Sequence, residues 1–217
     1  MNANPEIFSL QECSEHRLSQ VLAELIKDWF GGGLECPPLA EGAVRKKQRG
    51  ALSTQSVIDF GCGNGAYCEY LSRYAFENVV GVEGTHAMTF SPPPTPGGFR
   101  YNGQKEVQMV QWDLAHPLWL GLKGHVMSIE VAEHLAAEHH DTFMDTLSRH
   151  CTGKLVLTWA TVGQGGLRHI SERTEAQVVP YVERWGFKFQ AEESRRWREL
   201  VAKELGYFRE SIYLFQR

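Results

Sequence analysis

Val57-Ile58-Asp59-Phe60-Gly61-Cys62-Gly63-Asn64-Gly65 is a short apolar run that ends in a carboxylate and breaks at once into alternating glycines. Val57, Ile58 and Phe60 suit a strand buried on both faces, and Gly61, Gly63 and Gly65 permit a tight turn where backbone approaches a ligand without side-chain obstruction. Tyr67, Tyr70, Leu71 and Tyr74 then recur at helical spacing. The unit reads strand, glycine turn, helix, with backbone N–H groups of the turn expected to be free for a nucleotide-type ligand.

The spacing narrows the ligand. A dinucleotide fingerprint has G-x-G-x-x-G, whereas these glycines run G-x-G-x-G behind an aspartate. The stretch resembles the first motif of class I S-adenosylmethionine-dependent methyltransferases of the small-molecule type. That resemblance implies an α/β, Rossmann-like fold: seven strands, mostly parallel, helices on both faces and an antiparallel last strand. It also implies S-adenosyl-L-methionine as cofactor, bound by Asp59, Gly61, Cys62 and Gly63, with Cys62 a small residue filling the turn.

Downstream motifs follow in the family's order. Asn78 to Gly84 is a second buried-type strand ending in Glu83, which lies 24 residues beyond Asp59, near the roughly 20-residue spacing at which an acid reaches a ribose diol. Glu83, with Gly84 beside it, is the expected ribose anchor. Gln111-Trp112-Asp113-Leu114 is similar to the family's motif at the end of the third strand, where Asp113 would accept from the adenine amino group, Leu114 would flank the ring and Trp112 would form a flat wall. Val126 to Leu135 resembles the end of the fourth strand and places Glu130 beside the methionine end of the cofactor.

If a helix begins at Glu130, then Glu130, Glu133 and His134 share one face. Such a set can bind a divalent ion, or His134 can take a proton from a substrate hydroxyl. E-x-x-E-H resembles the metal-binding motif of a few O-methyltransferases, including some acting on RNA ends, and also occurs in relatives that use no metal. Metal use is left open here, with activity in chelator as the expectation. The fifth strand, Gly153 to Ala160, opens into the segment Thr161 to Ser171, which leaves the sheet edge where such folds bind ligands. Arg168 and His169 are therefore candidates to face substrate, and His169, His134 and Glu130 are the candidate catalytic residues.

The remainder frames this centre. Leu18, Val21, Leu22, Leu25, Ile26 and Trp29 mark an amphipathic helix before Gly31-Gly32-Gly33, which the resemblance would set over the active site; residues 1–50 read as a helical cover and loop, and 51–217 as the cofactor-binding domain. Arg45, Lys46, Lys47 and Arg49 read as a solvated loop, and Ser91 to Gly98, with four prolines, as an extended surface loop. Pro180 should kink a helix over 175–185, Gly186 to Gln190 begins a sixth strand, and Ser211 to Phe215 is the seventh, antiparallel by resemblance. With 217 residues and a net charge of -4, the chain has no general pull toward nucleic acid. It shows no apolar run near the roughly 18 residues of a membrane span. Five cysteines without C-x-x-C spacing read as free thiols, so a cytoplasmic location is expected. The expected partner is a small-molecule methyl acceptor bearing oxygen or nitrogen; a catalytically silent binding module and an RNA-directed O-methyltransferase are the alternatives. Oligomeric state is not encoded in these patterns.

Overall fold

The computed structural model describes residues 18–31, 53–84 and 107–217; the charged loop at 45–49 and the proline-rich stretch at 91–98 lie outside them. Seven strands form one sheet in the order β3-β2-β1-β4-β5-β7-β6. They are β1 (Ser53–Phe60), β2 (Phe76–Glu83), β3 (Gln108–Gln111), β4 (Gly124–Ser128), β5 (Cys151–Thr158), β6 (Lys188–Phe189) and β7 (Ile212–Gln216). The pairs from β3 through β5 are parallel, and β7 runs antiparallel between β5 and β6. The last strand is thus the antiparallel one that the resemblance implied.

The pattern of each strand explains its place. Val57, Ile58 and Phe60 of β1 are fully buried, as are Val126 and Met127 of β4 and Leu155, Val156 and Leu157 of β5; continuous apolar runs belong to strands covered on both faces. β6, the edge strand, is two residues long, shorter than its sequence pattern suggests, and a short edge offers little template for pairing with another chain.

Five helices complete the described residues: α1 (Gln20–Phe30), α2 (Ala66–Tyr74), α3 (His140–His150), α4 (Glu175–Glu183) and α5 (Ala191–Val201). Pro180 sits inside α4, which ends three residues later at Glu183. α1 packs its apolar stripe into the core on one sheet face: Leu22, Ala23, Ile26 and Phe30 join Val57, Phe76, Met127, Val156 and Trp197 in one buried cluster. Its amphipathic stripe is the reason, since a helix with that much apolar surface is stabilised most against a sheet. The opposite face buries Ile58, Phe60, Phe143, Met144, Leu157, Trp159 and Tyr213. Among the described residues, no helix is long and apolar enough to cross a membrane.

Candidate functional site

The glycine turn closes on the neighbouring strand. The N–H groups of Gly61 and Cys62 donate to Val82 O at 2.8 and 3.0 Å, Gly65 N–H donates to Cys62 O at 2.9 Å, and Gly63 N–H donates to Glu83 Oε2 at 2.9 Å. The free amides expected from the sequence are therefore engaged: the turn folds back on β2 and satisfies its own donors. Gly61 has φ +85°, and a Cβ there would overlap Val131 Cγ2, so only glycine fits.

Acids stand at the ends of three adjacent strands. Asp59, near the end of β1, is buried, and Cys68 Sγ donates to its Oδ2 at 3.5 Å. Burial, with a smaller push from the Glu83 charge, raises its pKa to about 7. Glu83 at the end of β2 is half-buried. Beyond β3, Asp113 keeps 65% of its side chain exposed, with Oδ1 accepting from Ala115 N–H. Trp112 is 40% exposed and its Nε1–H donates to His116 O. A carboxylate on β2, a second past β3 and an accessible indole between them suit a ribose, an adenine amino group and a purine ring, respectively. Leu114, expected beside the adenine, is buried in the core among Phe60, Val82 and Phe143. Gly84 lies under the Trp112 backbone, where a Cβ would come 3.3 Å from Trp112 O.

The E-x-x-E-H stretch departs from the single-faced helix expected for it. Glu130 takes a left-handed conformation, φ 57°, and only a short 3₁₀ turn, Ala132–His134, follows. Thr158, at the end of β5, locks Glu130: the Glu130 N–H donates to Thr158 Oγ1 at 2.6 Å and Thr158 Oγ1 donates to Glu130 Oε1 at 2.9 Å. The break in helix takes Glu130 off the face expected for it, although its carboxyl still acts on Glu133. Glu133, His134 and, in place of Glu130, His169 come together, each offering a ligand atom within 4.8 Å of the others.

Backbone hydrogen bonds bring His169 there. Glu133 O accepts from the N–H groups of Ile170 and Ser171 at 3.0 and 3.1 Å, and Ser171 O accepts from Trp159 Nε1–H at 2.7 Å. The two imidazoles meet edge to face with centroids 5.0 Å apart. Glu172, which the sequence reading missed, organises the loop: its carboxylate accepts from Gly163 and Gly165 N–H groups at 2.7 and 2.8 Å and from His169 Nδ1 at 3.2 Å. The Gly163 amide foremost, and His169 after it, hold the Glu172 carboxyl below its ordinary range. A glutamate three residues after a loop histidine was the signal available. Arg168, the other loop candidate, is exposed with φ 60°, and its carbonyl faces His134.

Glu133 itself is fully buried, and neither carboxylate oxygen reaches good hydrogen-bond geometry, although the Glu130 carboxyl and the Glu133 and Ala160 amides lie near enough to act on it. Burial, then the charge of Glu130, push its pKa well above the usual carboxylate range.

The comparisons agree with this architecture. Residues 58–154, which run from β1 to β5, match the profile described as a methyltransferase domain. Among solved structures, magnesium protoporphyrin IX methyltransferase from Synechocystis PCC 6803 with bound S-adenosylhomocysteine aligns at TM-score 0.51 and 18% identity, over 76% of this chain and 74% of that one. The glycopeptide N-methyltransferase MtfA with sinefungin aligns at TM-score 0.52 and 14% identity, over 76% and 80%. The methyltransferase domain of bacterial CtHen1-C aligns at 0.50 and 19%, over 75% and 89%. At these identities the structural likeness is one of fold. No curated protein matches the sequence. The profile match over residues 58–154 gives this chain a methyltransferase domain, and the sheet order with its antiparallel strand gives it the Rossmann-like fold of such enzymes.

Proposed function

We propose that this protein transfers the methyl group of S-adenosylmethionine to a hydroxyl oxygen of a small-molecule acceptor, with the acceptor's proton leaving at the cluster of Glu133, His134 and His169. The observation that carries the reading is the pairing of two imidazoles with a buried carboxyl just beyond β4 and β5, at the strand ends where open α/β sheets bind ligands. The cofactor supplies an already activated methyl group, so the protein's task is to hold the nucleophile in line and remove its proton.

Glu83, Asp113 and Trp112 would seat the adenosine, and Asp59, Gly61, Cys62, Gly63 and Gly84 would shape the turn beneath it. Glu130, fixed by Thr158, would face the methionine end. His169 is the base in this assignment: Glu172 accepts from its Nδ1–H and so leaves the lone pair on Nε2. His134 donates Nδ1–H to Arg168 O at 3.2 Å, which sets the same tautomer. The buried thiols Cys62, Cys68 and Cys151 suit a reducing compartment such as the cytoplasm. The net charge of -4 speaks against nucleic acid as the acceptor.

A panel of hydroxyl, amine and thiol metabolites, incubated with methyl-labelled cofactor and read by mass spectrometry, tests the proposal. Label on a hydroxyl compound, lost in His169→Gln, is the expected result; label on amines or thiols alone would overturn the hydroxyl assignment.

A further inference from the structure

From the arrangement of Glu133, His134 and His169 we infer that this protein binds one divalent transition-metal ion through a carboxylate oxygen and two imidazole nitrogens. The inference concerns binding and holds whichever nucleophile is methylated.

The three residues present ligand atoms within 4.8 Å of one another, a spread that a single ion can span. The independent sign is Glu133. A carboxyl that is fully buried, with neither oxygen in good hydrogen-bond geometry and a second carboxyl, Glu130, beside it, is costly to the fold unless something else satisfies it. A cation answers that requirement, because ionised carboxylate oxygens only accept.

Both imidazoles are arranged as metal-binding histidines are. His169 donates from Nδ1 to the Glu172 carboxylate, and His134 donates from Nδ1 to the Arg168 carbonyl. Partners of those two kinds fix the tautomer with the lone pair on Nε2 and orient the ring. Gly166 lets the His169 ring pack closely against its backbone, since a Cβ there would overlap His169 Nε2 and Cε1. Glu130, with one oxygen held by Thr158, is not one of the three ligands but lies beside Glu133.

The donor set selects the ion. Two imidazoles and one carboxylate favour zinc, cobalt, manganese or iron(II) over magnesium or calcium, which prefer oxygen throughout. Three protein ligands leave open positions for water or an acceptor oxygen. If the ion binds, His169 would serve as one of its ligands and the ion would supply the acidity that lowers the acceptor's pKa; His169 is assigned as base in the metal-free protein.

Metal-free protein titrated calorimetrically with Zn²⁺, and in parallel with Co²⁺ followed by visible absorption, is expected to take up one equivalent of each and to melt at a higher temperature with Zn²⁺ bound. Glu133→Gln and His169→Gln should each weaken binding at least 100-fold, and Glu172→Gln about 10- to 100-fold. His169 lies on a surface loop, so His169→Gln keeps the test valid if Glu133→Gln does not fold. Absence of stoichiometric binding, or unchanged affinity in folded His169→Gln, overturns the site. Methyl transfer by chelator-treated protein is a separate readout: if transfer to a hydroxyl persists while no metal binds, the metal site falls and the proposed function stands.

Discussion

Strands β4 and β5 have histidines where they begin and histidines beyond where they end, and the two sets differ in what their nitrogens do. At the beginning, His125 accepts Lys154 N–H at Nδ1, lies 3.0 Å from Gln55 Oε1 through Nε2, and stacks on Phe30 at 4.8 Å between centroids. His150, just before β5, accepts Leu120 N–H at Nε2 and donates Nδ1–H to Thr146 O at 2.7 Å. Each ring is neutral by construction: one nitrogen already receives an N–H, so adding a proton breaks a hydrogen bond. Burial is the first cause that lowers both, His125 to about 4. Beyond the strand ends, His134 and His169 stand beside the buried Glu133, with ring tautomers set by a carbonyl and a carboxylate. A histidine whose two nitrogens are spent on the chain holds the fold together; one turned toward another titratable group is a candidate for chemistry.

The largest expected effect separates the two sets directly. His169→Gln should lower turnover about 100- to 10,000-fold with the melting temperature and cofactor affinity nearly unchanged. His150→Leu should do the reverse, losing roughly 1–3 kcal/mol of stability from the amide and carbonyl left unpaired, with transfer intact in the folded fraction. Steady-state kinetics beside thermal melts would show it. Loss of turnover from folded His150→Leu would erase the distinction.

The pH dependence of stability sharpens the contrast, because the two ends of the sheet carry opposite signs. Asp59 has its folded pKa raised from 3.8 to about 7, so the folded protein holds the proton more tightly than the unfolded chain. Its contribution is fully present below about pH 4 and is lost as pH rises to about 7, by about 4 kcal/mol. Asp59→Asn should flatten that loss. Since a cationic cofactor is best held by the ionised form, cofactor affinity should climb over the same window in wild type and lose that climb in Asp59→Asn. Chemical denaturation at a series of pH values, with calorimetric titration of the cofactor, reads both; a wild-type stability curve indistinguishable from that of Asp59→Asn would remove the assignment.

Glu83 comes next in size. Glu83→Ala should weaken S-adenosylmethionine binding by about 1.5–3 kcal/mol, through the lost ribose contacts and the Gly63 amide left without its acceptor. Unchanged affinity in a folded variant would end the ribose assignment.

The smallest effect belongs to His125. Its folded pKa is depressed, so the folded state binds fewer protons than the unfolded one, and stability should fall as pH drops from about 6.5 toward about 4. After allowance for solvent screening the change is about 1 kcal/mol. His125→Phe should abolish this acid-side slope and leave the Asp59 slope in place. Retention of the slope would move its origin elsewhere, with His150 the next residue to test.

How much of this was readable in advance depends on the distance over which a feature is decided. The strand and glycine turn at Val57–Gly65, the acids Glu83 and Asp113, and the antiparallel close at Ile212–Gln216 were legible, because apolar periodicity, glycine tolerance of positive φ and motif order are local properties of the chain. So was the closeness of Glu133 and His134 to each other. The set they belong to was not. Sequence spacing joined Glu130 to them through a helix that Thr158, 28 residues away, prevents by holding Glu130 in a left-handed turn. His169 enters instead because Glu133 O captures two amides of a distant loop. Likewise, nothing in the letters distinguishes His125 and His150 from His134 and His169. Which groups each imidazole meets is fixed by partners far along the chain, so only the folded arrangement of β4, β5 and their loops decides it.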